Sequence, residues 1–173
     1  MIHTRFLLLA ALSAIMVSCS SPGGDFTTPR SASGNVQKIS GVKTTAYTHT
    51  ESDHVKYATA SAAGTTLKYG PVRSAAADWS VYPVGTVFQI EGESVVYQID
   101  DYGSALVGTN TIDLYRPSKQ SMNEWGARNV NIKVIQWGSS SQSMAIMKDR
   151  QKKSSRVKQM VQRLESSSSH AAS

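Results

Sequence analysis

Cysteine is the scarcest residue type in this sequence, with Cys19 alone among 173 residues. A single cysteine excludes an internal disulfide framework and any zinc or iron–sulfur site that needs several thiolates. Charged residues are also few, at 17% of the chain, and aromatic residues make up 8%. The length suits one domain with tails, because single domains cluster near about 100–150 residues.

The middle of the chain has no excess of positive charge, although the formal net charge of the whole is +6. Residues 41–138 carry eight basic and nine acidic side chains, whereas residues 139–173 carry seven basic and two acidic ones. Nucleic-acid binding depends on a basic surface that neutralises phosphates. The distribution therefore argues against a nucleic-acid partner for the central segment.

The N-terminal apolar tract is too short for a membrane-spanning helix and is typical of an export signal. Arg5 precedes a mostly apolar tract over residues 6–17, whereas a spanning helix needs about 20 apolar residues. The tract ends in the sequence MVSC at residues 16–19, which resembles the lipobox of bacterial lipoproteins. We expect residues 1–18 to be a lipoprotein signal peptide, with ordinary secretion and cleavage elsewhere as the alternative.

The lipobox interpretation gives the lone cysteine a role, since Cys19 would carry the lipid that anchors the chain to a membrane. Ser20 rather than Asp follows it, which favours sorting to the outer membrane, facing the periplasm. Residues 19–40 are rich in Ser, Thr, Gly and Pro and bury too little apolar surface to fold. They are predicted to be the lipid anchor and a flexible, disordered tether.

Residues 41–138 have recurring short apolar runs separated by Gly and Pro, a pattern typical of short strands. Glu91-Gly92-Glu93 predicts a hairpin loop between two of these runs. Ser118 is a suitable N-cap for a short helix over residues 119–127. We expect a mainly β domain, a small barrel with minor helix. The predicted strands cover residues 42–47, 84–90, 95–99, 111–115 and 130–136.

Residues 139–173 are predicted to be a Ser-rich basic tail with a short amphipathic helix. Its apolar residues stand at i, i+3, i+4 and i+7, which indicates one apolar stripe. The stripe could lie on an anionic surface such as a membrane or cell-wall polymer. The alternative, which the weakness of short isolated helices favours, is a marginal helix that packs on the barrel or frays. The stripe consists of Val157, Met160, Val161 and Leu164.

Three aspartates stand in distinctive local patterns in the central segment. Asp78 and Asp101 are close to Gly and Pro, where aspartate ordinarily accepts backbone hydrogen bonds in turns. Asp113 is different, because it lies inside the run Ile-Asp-Leu-Tyr and aspartate is depleted in strands. Asp100 is adjacent to Asp101 and could compete with it, but only Asp101 of the two stands two residues before a glycine. A carboxylate inside a strand has to face solvent or a partner.

Taken together, four segments resemble the 3D domain, which is named for three aspartates. The family occurs in membrane-bound lytic transglycosylase A and in small single-domain cell-wall enzymes. The resemblance covers residues 42–137 in the family's order, although Val107 stands where the family has lysine. The matching segments are Thr45-Ala46-Tyr47, residues 76–85 (AADWSVYPVG), residues 101–108 (DYGSALVG) and Ile112-Asp113-Leu114-Tyr115.

The resemblance implies a six-stranded double-psi β-barrel that cleaves peptidoglycan glycan strands as a monomer, with no cofactor and no metal. It makes Asp113 the acid and base of a lytic transglycosylase, a lyase that leaves 1,6-anhydromuramoyl ends. Asp101 and Asp78 are the other catalytic candidates, expected to lie close to Asp113 and to favour its protonation by like-charge repulsion. The expected substrate-binding residues are Thr45, Tyr47, Gly103 and Tyr115.

A second interpretation is a non-catalytic wall-binding barrel, like the expansin-like or rare lipoprotein A-like modules. Asp113 argues against it, since a pure binder has no need of an aspartate in that strand. The segment from His49 to His54 contains potential metal ligands, but it is loop-like and better explained as a polar edge of the groove. Tyr47 and Trp79 are expected either to stack on sugar rings or to fill the barrel core.

Overall fold

The computed structural model describes residues 36–51 and 57–171, with side chains up to Ser169. These residues belong to one compact unit. The predicted signal peptide, Cys19 and most of the predicted tether lie outside the described residues. In the part of the chain that is described, no helix is both long and apolar enough to cross a bilayer.

Six strands close into a barrel in the order β1-β5-β2-β4-β3-β6. The pairs β1–β5 and β2–β4 are parallel, and the other neighbouring pairs are antiparallel. The predicted small six-stranded barrel with minor helix is therefore confirmed. Its strands are β1 (Gln37–Tyr47), β2 (Val72–Ala76), β3 (Val87–Ile90), β4 (Val96–Asp101), β5 (Ile112–Tyr115) and β6 (Arg128–Gln136).

Strand β1 begins at Gln37, so the last four residues of the predicted tether belong to the barrel. The composition did not predict a strand at residues 37–40, because this segment is mostly polar and exposed. Its register with β6 places Ile39 opposite Ile132, and Ile39 packs against the core. One apolar side chain and the backbone ladder are enough to extend the strand.

Strand β2 was absent from the sequence prediction, although it lies between β4 and β5. Its sequence, VRSAA, offers little β-propensity, because alanine is depleted in strands and only Val72 is branched. The last three residues, Ser74–Ala76, are nonetheless buried. Small side chains are needed here because both neighbouring strands pack closely around them.

The predicted loop and short helix are both present. Strands β3 and β4 form an antiparallel hairpin, and Glu93 N–H donates to the Ile90 carbonyl at its turn. Helix α1 (Lys119–Trp125) begins after Ser118, whose hydroxyl accepts a hydrogen bond from Ser121 N–H. It ends two residues earlier than predicted, because Gly126 caps it with a φ of +63°.

The C-terminal segment contains two helices, α2 (Ser140–Met147) and α3 (Ser155–Ala171), and is more than a marginal tail. The predicted apolar stripe of α3 is buried and belongs to the same core cluster as the barrel residues Phe88 and Ile99. Packing on the barrel is therefore the correct alternative for this helix. Met147 of α2 joins that cluster, which is why the segment stays ordered despite its polar composition.

Candidate functional site

The centre of the candidate site is one row of residues that crosses four neighbouring strands. Thr45 on β1 is paired with Asp113 on β5, and Asp113 is paired with Ala76 on β2. Ala76 is in turn paired with Asp101 on β4. Two of the three predicted aspartates thus flank a single alanine, although they are separated by a loop in the sequence.

Asp113 has intermediate exposure, whereas both of its neighbours on β5, Ile112 and Leu114, are fully buried. Its Oδ1 accepts a hydrogen bond of 2.7 Å from the Thr45 hydroxyl. Alternation along the strand explains the contrast, because successive side chains point to opposite faces of the sheet. Asp113 consequently lies on the face away from the main core and is partly exposed.

Asp101 is buried and is held by several donors. Its Oδ1 accepts from the backbone N–H groups of Ala62 at 3.0 Å and Tyr102 at 2.9 Å. Its Oδ2 accepts from the Tyr47 hydroxyl at 3.1 Å. A carboxylate with several donors of this kind is fixed in position.

The pKa of Tyr47 is raised well above its usual value, mainly by burial and then by the negative charges of Asp101, Asp100 and Asp113. Tyr47 is therefore a neutral hydrogen-bond donor at physiological pH. The strand pairing and the Tyr47–Asp101 hydrogen bond place Tyr47, Asp101 and Asp113 in one region of the barrel.

Asp100 belongs to a different group of side chains. Its Oδ2 accepts from Lys68 Nζ and from the Ser74 hydroxyl, both at 2.8 Å. The register between β2 and β4 shifts at Ala75/Ala76, so that Ala75 is paired with Ile99 and Ala76 with Asp101. Asp100 is the extra residue of this bulge, which is why Asp101 rather than Asp100 enters the row with Asp113.

Asp78 is bonded to partners other than the two aspartates of the row, and one of these partners is a cation. It is fully buried, and its Oδ2 accepts from Arg163 Nη1 at 2.8 Å and from Gly108 N–H at 2.7 Å. Its Oδ1 accepts from the N–H and hydroxyl of Ser80. Arg163 neutralises its charge, so Asp78 positions the loop between β4 and β5.

Sequence reasoning missed Arg163 because its partner lies 85 residues away. One available signal is that Arg163 directly precedes Leu164, the last residue of the buried stripe on α3. A cation at the border of a buried face is close enough to the core to meet a buried carboxylate. The ion pair between Asp78 and Arg163 joins two segments that the sequence patterns present as separate.

The aromatic side chains that were expected to contact sugar are largely buried. Tyr47 and Tyr115 are only 8% and 4% exposed, and Trp79 is fully buried. The Trp79 indole N–H donates to the Asp101 carbonyl, and the Tyr115 hydroxyl bonds His49 Nδ1 at 2.8 Å. Trp79 fills the main core of the barrel, whereas Tyr47 is buried with Tyr115 in a second cluster on the face that carries Asp113.

Tyr69 is the open aromatic ring near Asp113, and the sequence analysis did not single it out. It is 41% exposed, and its ring lies edge-on to Tyr115 with centroids 6.4 Å apart. Tyr115 is two residues after Asp113 on the same strand and therefore on the same face. Tyr69 thus extends the exposed surface beside the candidate acid.

Gly103 and Val107 both lie in the loop between β4 and β5. The Gly103 carbonyl accepts from Leu106 N–H, and a Cβ on Gly103 would lie 3.3 Å from the Leu106 side chain. Val107, at the position of the family lysine, is buried in the main core. The loop side chains thus pack inward, and Gly103 keeps the turn tight enough for them to do so.

The His49–His54 segment is only partly covered, since Asp53 and His54 lie outside the described residues. Within the described ranges, no group of three or more His, Cys, Asp or Glu side chains could hold a metal ion. His49 itself is bonded to Tyr115. His49 therefore contacts an aromatic side chain of the candidate site and no acidic group of a metal cluster among the described residues.

Comparison with known proteins identifies the middle of the chain. A family model described as "3D domain" matches residues 73–136, which include Asp78, Asp101 and Asp113. A putative cell wall shaping protein of Bacillus subtilis, YabE, is 35% identical over 117 residues, which is 66% of this chain. The aligned region is 28% of the length of YabE. The predicted resemblance to the 3D domain family is therefore confirmed over residues 73–136.

Proposed function

We propose that this protein cleaves the glycan strands of peptidoglycan by a lytic transglycosylase mechanism, with Asp113 as acid and base. The observation that carries the proposal is the row in which a partly exposed Asp113 is bonded to Thr45 and separated by Ala76 from a fixed Asp101. A function on the cell wall is supported by the family match and by the name of the similar protein. The specific chemistry rests on the geometry around Asp113.

In this mechanism, the protonated carboxyl of Asp113 donates its proton to the glycosidic oxygen that leaves C1 of the muramic acid residue. The C1–O bond breaks, and the C6 hydroxyl of the same sugar attacks C1. The Asp113 carboxylate then takes the proton of that hydroxyl, which closes the 1,6-anhydro ring and restores the acid. The substrate supplies the nucleophile, so one carboxyl group suffices where an ordinary glycosidase needs two.

The neighbouring side chains support this role in distinct ways. Asp101 is fixed in position by its donors, and we propose that its like charge across Ala76 favours the acid form of Asp113. The Thr45 hydroxyl donates to Oδ1 of Asp113 and so orients the carboxyl group toward its role. Asp78 acts at a distance, as a positioning residue for the loop that joins β4 to β5.

The test is digestion of purified peptidoglycan, followed by mass spectrometry of the soluble products. We expect the wild type to release anhydro-muropeptides and Asp113→Asn to release about 10²–10⁴-fold less, the usual contribution of general acid–base catalysis. Asp149→Asn on the C-terminal side is the matched control and should behave as the wild type. Reducing-end products would indicate hydrolysis instead. Wall binding without any products would indicate the non-catalytic binding module.

We also propose that the protein acts in the cell envelope, lipid-anchored through Cys19 at the outer membrane and facing the periplasm. The lipobox-like sequence at residues 16–19 supports the anchor. The location fits a substrate that exists only outside the cytoplasm. A single anchored chain is sufficient for the proposed chemistry, because every residue assigned to it comes from one barrel.

A further inference from the structure

A cleft of about 190 Å³ lies beside the candidate site and is unusually rich in arginine. Residues 41–138 contain three arginines, and all three line this one cleft. Glu124 is the one acidic residue among the lining side chains, and it is bonded to Gln120. The cleft therefore has a net charge of about +2, although the barrel segment as a whole is slightly acidic. The arginines are Arg73, Arg116 and Arg128.

Arg116 is the central feature of the cleft because it is only 5% exposed. Its guanidinium makes two long hydrogen bonds, to the Tyr115 carbonyl at 3.4 Å and to the Tyr97 hydroxyl at 3.5 Å. It also lies over the ring of Trp125 at 4.8 Å. Among the described residues, it has no carboxylate partner within 4 Å. A buried charge is costly unless it is paired, so this guanidinium is well suited to a ligand that brings the opposite charge.

Two further N–H groups in the cleft lack partners among the described residues. They are Arg73 Nε and Trp125 Nε1, both buried from solvent. The Arg73 guanidinium is stacked over the Tyr69 ring at 4.2 Å. Native structures usually satisfy buried donors, so these two N–H groups are available for a hydrogen bond to a ligand in the cleft. Arg128 adds a third guanidinium, held at the end of α1 by the Glu124 carbonyl at 3.0 Å.

The cleft is continuous with the candidate site through Tyr69. This ring is in contact with Arg73 on one side and with Tyr115 on the other. Tyr115 lies on the same face as Asp113, so the Tyr69 ring connects the cleft with the side of the barrel that carries the candidate acid. A ligand that occupied both places would present sugar near Asp113 and an anionic group near the arginines.

We propose that this arginine cleft binds a carboxylate of the peptide stem of peptidoglycan, an inference that rests on the proposed function. The stem branches from muramic acid, the sugar whose C1 bond is cleaved, so a stem carboxylate lies within reach of a cleft beside Asp113. Guanidinium groups bind carboxylates through paired hydrogen bonds, and Arg73 Nε is an available donor. The exposed ring of Tyr69 would cover the apolar part of the stem. The cleft would then select glycan strands that carry peptides.

The experiment is calorimetric titration of the full-length chain in the Asp113→Asn background, so that no probe is consumed. The probes are a soluble disaccharide of N-acetylglucosamine and N-acetylmuramic acid with a tripeptide stem, the same disaccharide without peptide, and inorganic phosphate. The cleft variant is Arg73→Gln, and Lys158→Gln on the exposed side of α3 is the control with the same change in charge. Arg73→Lys tests whether charge alone is sufficient.

We expect Arg73→Gln to weaken the Kd for the peptide-bearing probe at least tenfold and to leave binding of the peptide-free disaccharide unchanged. Lys158→Gln should match its parent, and Arg73→Lys should recover only part of the affinity. The inference is wrong if Arg73→Gln binds the peptide-bearing probe as tightly as Lys158→Gln does, if the two disaccharides bind equally, or if the parent binds neither. Displacement of the stem by equimolar phosphate would assign the cleft to phosphate instead.

These outcomes are distinguishable from failure of the proposed function. Cleavage is measured separately with Asp113 intact, and stem binding requires no chemistry. Stem-dependent binding without cleavage by the wild type would retain the cleft assignment and remove the transglycosylase. Cleavage by the wild type with no effect of Arg73→Gln on binding would retain the transglycosylase and remove the cleft assignment.

Discussion

The Asp78 carboxylate and the Arg163 guanidinium are joined by a 2.8 Å ion pair that connects the barrel to the last helix. Asp78 is fully buried, while the Arg163 side chain is 45% exposed. The same carboxylate oxygen accepts from Gly108 N–H. The pair therefore connects α3, the segment after β2 and the loop between β4 and β5. Helix α3 lies outside the residues that match the 3D domain model, yet it provides the ion-pair partner of Asp78, which lies inside the match.

Arg163→Met should destabilise the protein, because it removes one partner of a buried carboxylate. The other donors to Asp78 remain, so we expect a loss of about 1–3 kcal/mol in the free energy of unfolding. Urea denaturation measures the change. Arg156→Met, at an exposed position on the same helix, is the control and should change stability by less than about 0.5 kcal/mol. Equal effects of the two substitutions would remove the argument for the ion pair.

Gly108→Ala should be more destabilising than the same change at Gly92. Both glycines have a positive φ, +86° and +89°, a conformation that costs other residues about 1–2 kcal/mol. A Cβ at Gly108 would also lie 2.9 Å from Arg163 Nη2, whereas none of the described atoms lies within 4 Å of one at Gly92. We expect an additional loss of about 1–3 kcal/mol at Gly108, measured by urea denaturation.

The additional loss at Gly108 comes from displacement of Arg163, so it should shrink in the Arg163→Met background. A double-mutant cycle isolates this coupling. If the difference between Gly108→Ala and Gly92→Ala is unchanged without Arg163, the contact with its guanidinium is not the cause.

The stability of the folded protein should decrease as the pH rises above about 10, and Tyr47 should contribute to the decrease. Burial and the nearby carboxylates raise its pKa in the folded state, whereas an unfolded tyrosine loses its proton near pH 10. The unfolded state therefore binds fewer protons above pH 10 and is favoured there. Stability is complete below that pH and is lost as the pH rises toward the folded-state pKa.

Urea midpoints between pH 8 and pH 11.5 test this prediction. Tyr47→Phe should flatten the alkaline decrease, while Tyr57→Phe, at an exposed position, should leave its slope unchanged. The absolute stability of Tyr47→Phe is a separate matter, because the substitution also removes a donor to Asp101. Parallel slopes for wild type and Tyr47→Phe would contradict the assignment.

Cys19→Ala should release the protein from the membrane fraction, because no thiol remains to carry the lipid. Ser20→Ala keeps the cysteine and is the control for a small change at the neighbouring position. Immunoblots of separated membrane and soluble envelope fractions give the measurement. Retention of the Cys19→Ala protein in the membrane fraction would favour an anchor other than the lipid.

The elements that the sequence predicted well are those whose signal is local. The strand around Asp113, the helix after Ser118 and the hairpin at Glu91–Glu93 each follow from a few adjacent residues. The row from Thr45 to Asp113 was accessible only through the family resemblance, because strand order decides it. No local pattern states that β5 lies between β1 and β2.

The elements that the sequence missed depend on tertiary contacts. Strand β2 has few large apolar side chains, and it forms a strand because it pairs with β4 and β5 on either side. The α3 stripe was visible, but its packing partner was not. The arginine cleft assembles from the turn before β2, the end of β5 and helix α1, so spacing along the chain gave no sign of it.

The barrel closes by pairing its first strand with its last, Gln37 opposite Val134, and this has a consequence for how the chain folds. A chain that emerges N-terminus first exposes β1 long before β6 is available, and Arg163 arrives later still. Contacts between residues so far apart in the sequence slow folding, because the entropy cost of closing the long loop comes before the stabilising contacts form. The exposed edge of β1 is then a site for mispairing with other chains. A chaperone that covers β1 until β6 is available would protect this protein at its most vulnerable stage.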